Sequence, residues 1–311
     1  MNTLEQLALL SRFFGANPDY ILAGGGNTSL KNKDTLWIKG SGVELGEITP
    51  AGFVAMDRLK LASLWELSAS SDATAAEREK AVLEGLMSAR LPGEEKKRPS
   101  VETLLHDLLP FAFVVHTHPS LVNGLTCSQD AEKAARSLFG DDVVWIPSSD
   151  PGYVLANAVQ KAITGRKEPP SFFFIQNHGV FVGADTPEEI KSLYKKIDDT
   201  IKAAVKRYPD MGGASSSFDG EIVPILQKLS GGVVRFTRYN EVAVLVKSRV
   251  AFAPVASSFT PDHIVYAGSD PLFVEKGKNI EEAWKAHVEK IGRPPKIVAL
   301  EGEGIFGIGQ S

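Results

Sequence analysis

Cysteine is almost missing: Cys127 is the only one in 311 residues. No disulfide can close within the chain, and a reducing, cytoplasmic setting is the expectation. Long apolar runs are missing too, since nothing approaches the ~20 consecutive apolar residues of a membrane-spanning helix. The opening MNTLEQLALLSRFFG has Glu5 early and no basic start, so it reads as an amphipathic helix rather than a secretory leader. Neither sign of charge dominates, with 34 Lys and Arg against 38 Asp and Glu and a formal net charge of -4. The balance argues against a general surface for nucleic acid or anionic lipid, so neither partner is expected. The one dense basic run, EEKKR at 94–98, is mixed in sign and reads as a solvated loop. No internal repeat is present.

What remains is an ordinary apolar share, 43%, in a chain long enough for one large domain or two of common size. Helical periodicity predicts helices over residues 2–14, 50–67, 74–90, 120–138, 153–163 and 279–291, and a long one opening at Thr186-Pro187. A further helix starts at PSVETLLHDLL, where Ser100 is a good N-cap. SLKNKDTLWIKGSG reads as a β-hairpin turning at Asn32, Lys33 and Asp34. FAFVVHTHP, DVVWIP, SFFFIQNHGVFVGA, VVRFTRY, EVAVLVKS and KIVALEG read as strands. The Gly/Ser-rich stretch DMGGASSSFDG at 209–219 is the best linker candidate. The fold class is therefore mixed α/β, with a first domain over 1–215 and a smaller α/β region over 220–311.

Chemistry concentrates in a few places. His116 and His118 lie two apart on an apolar strand, so both imidazoles face one side, as two ligands of one metal would. His178 sits at the end of another apolar strand beside the permissive Gly179. Three histidines that leave a coordination position open are the pattern of catalytic zinc sites. Nitrogen ligands without thiolate suit Zn²⁺, and Mn²⁺, Fe²⁺ or Co²⁺ stay open as alternatives. Glu102, in the first turn of the helix opening at Ser100, is the candidate base, its anionic form favoured by the helix dipole. His106, one turn later, is expected beside Glu102 or the metal rather than as a fourth ligand. His287 is expected on the surface of its helix, and His263 in an irregular polar segment. The run GGGNTS at 24–29 is neither GxGxxG nor GxxxxGK[ST], which makes a nucleotide the poorer reading of that loop.

GGGNTS, KGSG, PSVETLLH, HTHP and QNHGV, in this order and spacing, resemble the class II aldolase/adducin family. The wording is nearest to the aldolase part of the bifunctional rhamnulose-1-phosphate aldolase/alcohol dehydrogenase group. The resemblance covers residues 5–205 and extends through SFTPDH and KIVALEGEGIFGIG, which in that group lead toward a dehydrogenase part. It leaves open whether the chain stands alone or belongs to a longer protein. It implies a central, mainly antiparallel sheet flanked by helices, with residues 1–215 as the catalytic domain.

By this resemblance His116, His118 and His178 would bind one Zn²⁺ per subunit, and Glu102 would be the catalytic acid/base. A sugar phosphate would rest on Gly26, Asn27, Ser41, Gly42 and Ser100. Relatives commonly have two serines before the glutamate, whereas this chain has Ser100-Val101; Lys39 or Thr28 would have to compensate. Tyr153 and Tyr266 are candidates for a tyrosine lent by a neighbouring subunit to protonate the leaving aldehyde, since relatives are typically homo-oligomers, often tetramers. The implied activity is cleavage of a ketose 1-phosphate, such as rhamnulose or fuculose 1-phosphate, to dihydroxyacetone phosphate and an aldehyde. A pentulose-phosphate 4-epimerase, a sugar-phosphate dehydratase and a non-catalytic adducin-like interaction module are the alternatives.

Overall fold

The computed structural model describes residues 3–67 and 74–310. The chain divides into two compact units, the division falling between Ala204 and Val205.

In the first unit, helix α1 (Leu4–Gly15) starts at a capping box in which Thr3 and Gln6 satisfy each other's backbone N–H. Strands β1 (Asn27–Lys31) and β2 (Thr35–Lys39) form the expected hairpin, with the Asn32 side chain accepting from the Asp34 and Thr35 N–H groups to shape the turn. Residues 50–67 are not one helix. A 3₁₀ turn (Pro50–Gly52) leads into β3 (Phe53–Asp57), which pairs with β2 and buries Phe53, Val54 and Met56, and only then does α2 (Arg58–Leu67) begin. Residue 2 of the first predicted helix lies outside the described residues.

Helices α3 (Ala75–Ser88) and α4 (Thr103–Leu108) precede β4 (Phe113–Thr117). The single helix expected over 120–138 is two, α5 (Ser120–Thr126) and α6 (Ala131–Phe139), because the segment around Cys127 to Asp130 leaves the helical path. Then come β5 (Val143–Ile146), α7 (Tyr153–Ile163), β6 (Phe172–Ile175), β7 (Gly179–Ala184) and α8 (Pro187–Ala204).

The seven strands order as β3-β2-β1-β4-β7-β6-β5, antiparallel throughout except for β5 beside β6. Helices α2, α3, α4 and α7 pack together on one face, where Leu36, Ile38, Met56, Val114, Phe173 and Phe181 meet Leu104, Leu105 and Leu155. Against the other face lie α1 and α8, with Phe14 against Tyr194 at 4.4 Å between ring centroids. The central strands β1, β4 and β7 are buried along their whole lengths. For β4 and β7 the apolar sequence accounts for it. For β1, NTSLK, it means that four polar side chains enter the core, where each needs a partner.

In the second unit, α9 (Ile222–Ser230), β8 (Val233–Thr237), α10 (Asn240–Leu245), α11 (Arg249–Phe252), β9 (Leu272–Val274), α12 (Ile280–Ile291), β10 (Ile297–Leu300) and β11 (Gly304–Gly309) build a sheet of order β8-β11-β10-β9. EVAVLVKS, expected as a strand, holds most of α10 instead. Val242 and Val246 are both buried at helical spacing and joined by the Val246 N–H to Val242 carbonyl bond. His287 is not a surface residue: it follows Ile280 and Trp284 on the buried stripe of α12. Residues 209–219 lie within this unit, where Ser215 bridges Arg238. Among the described residues no helix is long and apolar enough to cross a membrane.

The buried amine of Lys31 offers a test of these packing claims. Burial pushes its pKa down from 10.5 to about 7. Between those values the unfolded chain binds a proton that the folded chain does not, so this group makes stability rise with pH across that window. Lys31→Met is expected to raise stability at pH 7 by about 1–3 kcal/mol and to flatten that rise. Urea denaturation at several pH values between 7 and 10 checks it, and an equal or lower stability at pH 7 contradicts it.

Candidate active site

Segments distant in sequence deliver the site. On β4, His116 faces the same side of the sheet as Val114 and stacks flat on Phe181 of β7, with ring centroids 3.9 Å apart and planes 12° from parallel. His118 follows the end of β4, its backbone N–H donating to the Tyr20 carbonyl. His178 lies in the tight turn between β6 and β7, where Asn177 takes a left-handed φ of 58°. A Cβ on the following Gly179 would sit 2.3 Å from the Thr117 carbonyl oxygen, so only glycine lets this turn close against β4.

The three rings converge. His116 Nε2 lies 3.0 Å from His118 Nε2 and 3.3 Å from His178 Nε2, and one ligand nitrogen from each of the three falls within 4.8 Å of the others. Burial, reinforced by His118, holds the pKa of His116 well below the usual histidine range, and burial together with His116 pushes His178 down to about 3. Both rings are therefore neutral at physiological pH. His116 Nδ1–H donates to the Val180 carbonyl at 3.0 Å, which leaves the Nε2 lone pair facing its neighbours. Lone pairs brought this close repel one another unless a cation lies among them, so this donor set fits a divalent metal ion.

Glu102 completes the arrangement. It stands immediately before α4 rather than inside its first turn, held there by its N–H donating to Ser100 Oγ at 3.3 Å. Its carboxylate is buried, with Oε2 3.6 Å from His116 Nε2 and Oε1 3.8 Å from His178 Nε2. Asn27 Nδ2 donates to Oε2 at 2.6 Å, while Oε1 is a buried oxygen with no hydrogen-bond partner among the described residues. His106 touches neither Glu102 nor the histidine cluster through its ring nitrogens. Nε2 bonds the Asn27 side-chain oxygen, and Nδ1 lies 2.7 Å from Ser29 Oγ.

The segments expected to hold a phosphate are brought side by side. Ala23, with φ 47°, and Gly26, with φ 66°, shape the glycine loop, and Lys39 Nζ donates to the Gly24 carbonyl at 3.2 Å. Gly40 bridges Pro99 and the Ser41 N–H donates to the Arg98 carbonyl at 2.7 Å, which sets Ser41 and Gly42 beside the Ser100 segment. Asn27, however, has both ends of its amide engaged, and Thr28 Oγ1 lies 2.7 Å from Ser11 Oγ in the core. Of the two residues expected to compensate for the absent serine, the fold directs only Lys39 toward the loop. Tyr153 begins α7, half-buried against Trp65 with ring centroids 6.0 Å apart. Tyr266 lies exposed in a π-helical turn of the second unit (His263–Ala267).

Sequence reasoning did not find the part played by Ser29 or the inward amide of Asn27. The available signal was a strand whose polar residues have no solvent-facing side to occupy.

The Class II Aldolase and Adducin N-terminal domain model matches residues 5–205, and the chain belongs to that family. A solved N-terminal class II aldolase domain of a conserved protein from Thermoplasma acidophilum is similar over 66% of this chain and 94% of that one, with 26% identity and a TM-score of 0.55. The L-fuculose-1-phosphate aldolase of Thermus thermophilus is 17% identical over 66% of this chain and 95% of that one, with a TM-score of 0.43. An uncharacterized oxidoreductase of Bacillus subtilis, YuxG, is 24% identical over 91% of this chain, and the match spans 44% of that relative's length.

Gly26 is tightly enclosed: a Cβ there would lie 2.7 Å from the His116 carbonyl oxygen, at a φ that side chains disfavour. Gly26→Ala is expected to cost about 2–4 kcal/mol, from strain and displacement of β1 from β4. A thermal or chemical denaturation curve measures it, and a loss under about 1 kcal/mol contradicts this account.

Proposed function

We propose that this chain is a zinc-dependent aldolase that cleaves a ketose 1-phosphate, such as rhamnulose or fuculose 1-phosphate, into dihydroxyacetone phosphate and an aldehyde. The observation that carries the reading is the convergence of neutral imidazoles of His116 and His178 with His118 on a buried carboxylate whose Oε1 lacks a partner among the described residues. An all-nitrogen donor set without thiolate suits Zn²⁺. When bound, such an ion polarises the substrate carbonyl and offsets the negative charge that develops as the carbon–carbon bond breaks.

The chain's own residues would supply the proton transfer at carbon and the positioning. In the condensation direction Glu102 Oε1 takes a proton from the carbon next to the carbonyl: the C–H bond breaks, an O–H bond forms, and the electron pair stays with the substrate. In the cleavage direction Glu102 returns that proton to the same carbon. The backbone around Gly24 to Gly26, the Ser41-Gly42 turn, Ser100 and the Lys39 amine would hold the phosphate and fix the reacting carbons against Glu102, an orientation effect. The Asn27 side chain is already bound at both ends, so its share of the phosphate site would be its backbone.

Three measurements test this. Elemental analysis of purified protein is expected to find about one divalent ion per chain, and His116→Ala to abolish stoichiometric binding; a metal-free wild type with full activity overturns the zinc reading. Rhamnulose 1-phosphate, fuculose 1-phosphate and ribulose 5-phosphate are each supplied as substrate, and release of dihydroxyacetone phosphate from a ketose 1-phosphate is the expected result. Conversion of ribulose 5-phosphate without cleavage points to epimerisation instead. Glu102→Gln is expected to lower turnover about 10²–10⁴-fold, and unchanged turnover removes Glu102 from the proton transfer.

A further inference from the structure

We propose that Ser29, His106 and Asn27 form a fixed hydrogen-bond relay that orients Glu102, committing Oε2 to the scaffold and leaving Oε1 as the atom that carries the proton. The inference rests on the reading of Glu102 given above and goes beyond it by naming the residues that act through it.

The relay follows from the donors and acceptors available. Glu102 Oε2 accepts only, so the Asn27 amide must turn Nδ2 toward it and Oδ1 toward His106. His106 Nε2 must then be the protonated ring nitrogen. His106 is fully buried and its pKa lies well below the usual range, burial being the main cause, so the ring is neutral and Nδ1 carries a lone pair. That lone pair accepts from the Ser29 hydroxyl, which supports the tautomer that the Asn27 oxygen sets. The buried Lys31 amine donates to the His106 backbone carbonyl and fixes the residue from the other side.

Reversing the amide of Asn27 would set Oδ1 against the carboxylate and an N–H against the His106 N–H. Both contacts repel in a dry interior, so one orientation survives. Asn27, Ser29 and Lys31 stand at the first, third and fifth positions of β1, on one side of the strand. One strand face thus addresses α4 and, through it, the carboxylate. His106 and Ser29 touch no expected substrate group; they are positioning residues.

The test uses the full chain with Zn²⁺ and whichever ketose 1-phosphate it cleaves. His106→Leu removes the donor to Asn27 and is expected to lower kcat about 30- to 100-fold, the scale of a misplaced catalytic group. KM and metal content are expected within about threefold of wild type. His106→Gln, whose amide N–H can still donate to Asn27, is expected to recover most of the loss. Ser29→Ala, which keeps the histidine and its bond to Asn27 but removes the partner of Nδ1, is expected to give a smaller loss and serves should His106→Leu not fold. Independently of activity, ¹⁵N spectra of histidine-labelled protein are expected to show His106 protonated at Nε2. A wild-type kcat in His106→Leu, a loss shared equally by KM and metal content, or a proton at Nδ1 each overturns the relay. Full activity in Glu102→Gln would instead sink the role given to the carboxylate, while the tautomer measurement still decides the hydrogen bonds.

Discussion

The fold depends most on the burial of a polar strand. NTSLK is flanked on both sides in the middle of a seven-stranded sheet, and burying its amide, hydroxyls and amine without partners would cost several kcal/mol. Each polar side chain is met: Asn27 by Glu102 and His106, Thr28 by Ser11, Ser29 by His106, and Lys31 by the His106 carbonyl. Two layers are thereby tied to one strand. The Thr28 face reaches α1, and the alternate face reaches α4. An interior built this way is specific in register, because a slip of one residue would strand every one of these groups at once.

The same burial explains the electrostatics of the histidine cluster. His116 and His178 are kept neutral by the removal of water, and a neutral ring is what presents a lone pair. The apolar strands around them, with Phe181 stacked on His116, are therefore part of the site's chemistry as well as of its core. Val180 contributes through its backbone alone, its carbonyl choosing which nitrogen of His116 bears the proton.

Much of this was legible in the amino-acid sequence. The alternation in FAFVVHTHP places His116 and His118 on one side of a strand, and QNHG marks the turn that brings His178 to them. The hairpin at Asn32 to Asp34 follows from local turn chemistry. What was not legible depends on tertiary pairing. The helix expected over 50–67 hides β3, since FVAMD satisfies a helical period as well as a strand until β2 supplies hydrogen bonds. EVAVLVKS alternates like a strand, yet Val242 and Val246 are buried at helical spacing. His287 looks like one polar residue on an amphipathic helix, and only its alignment with Ile280 and Trp284 reveals it as interior. Asn27 reads as a loop residue near a phosphate, because nothing local indicates that its amide is spoken for by Glu102, 75 residues away.

The histidine cluster also carries a kinetic consequence. Its members come from β4, from the segment just after it, and from the β6–β7 turn, while the carboxylate beside them is held from β1. No two elements consecutive in sequence contain more than part of it. Closing these loops is paid in chain entropy before any contact repays it, so the three rings meet only when β4 pairs with β7, and the carboxylate joins them through β1. A chain stalled with its helices and local hairpin formed would hold scattered imidazoles. The convergence of all three rings thus reports long-range strand pairing rather than local structure.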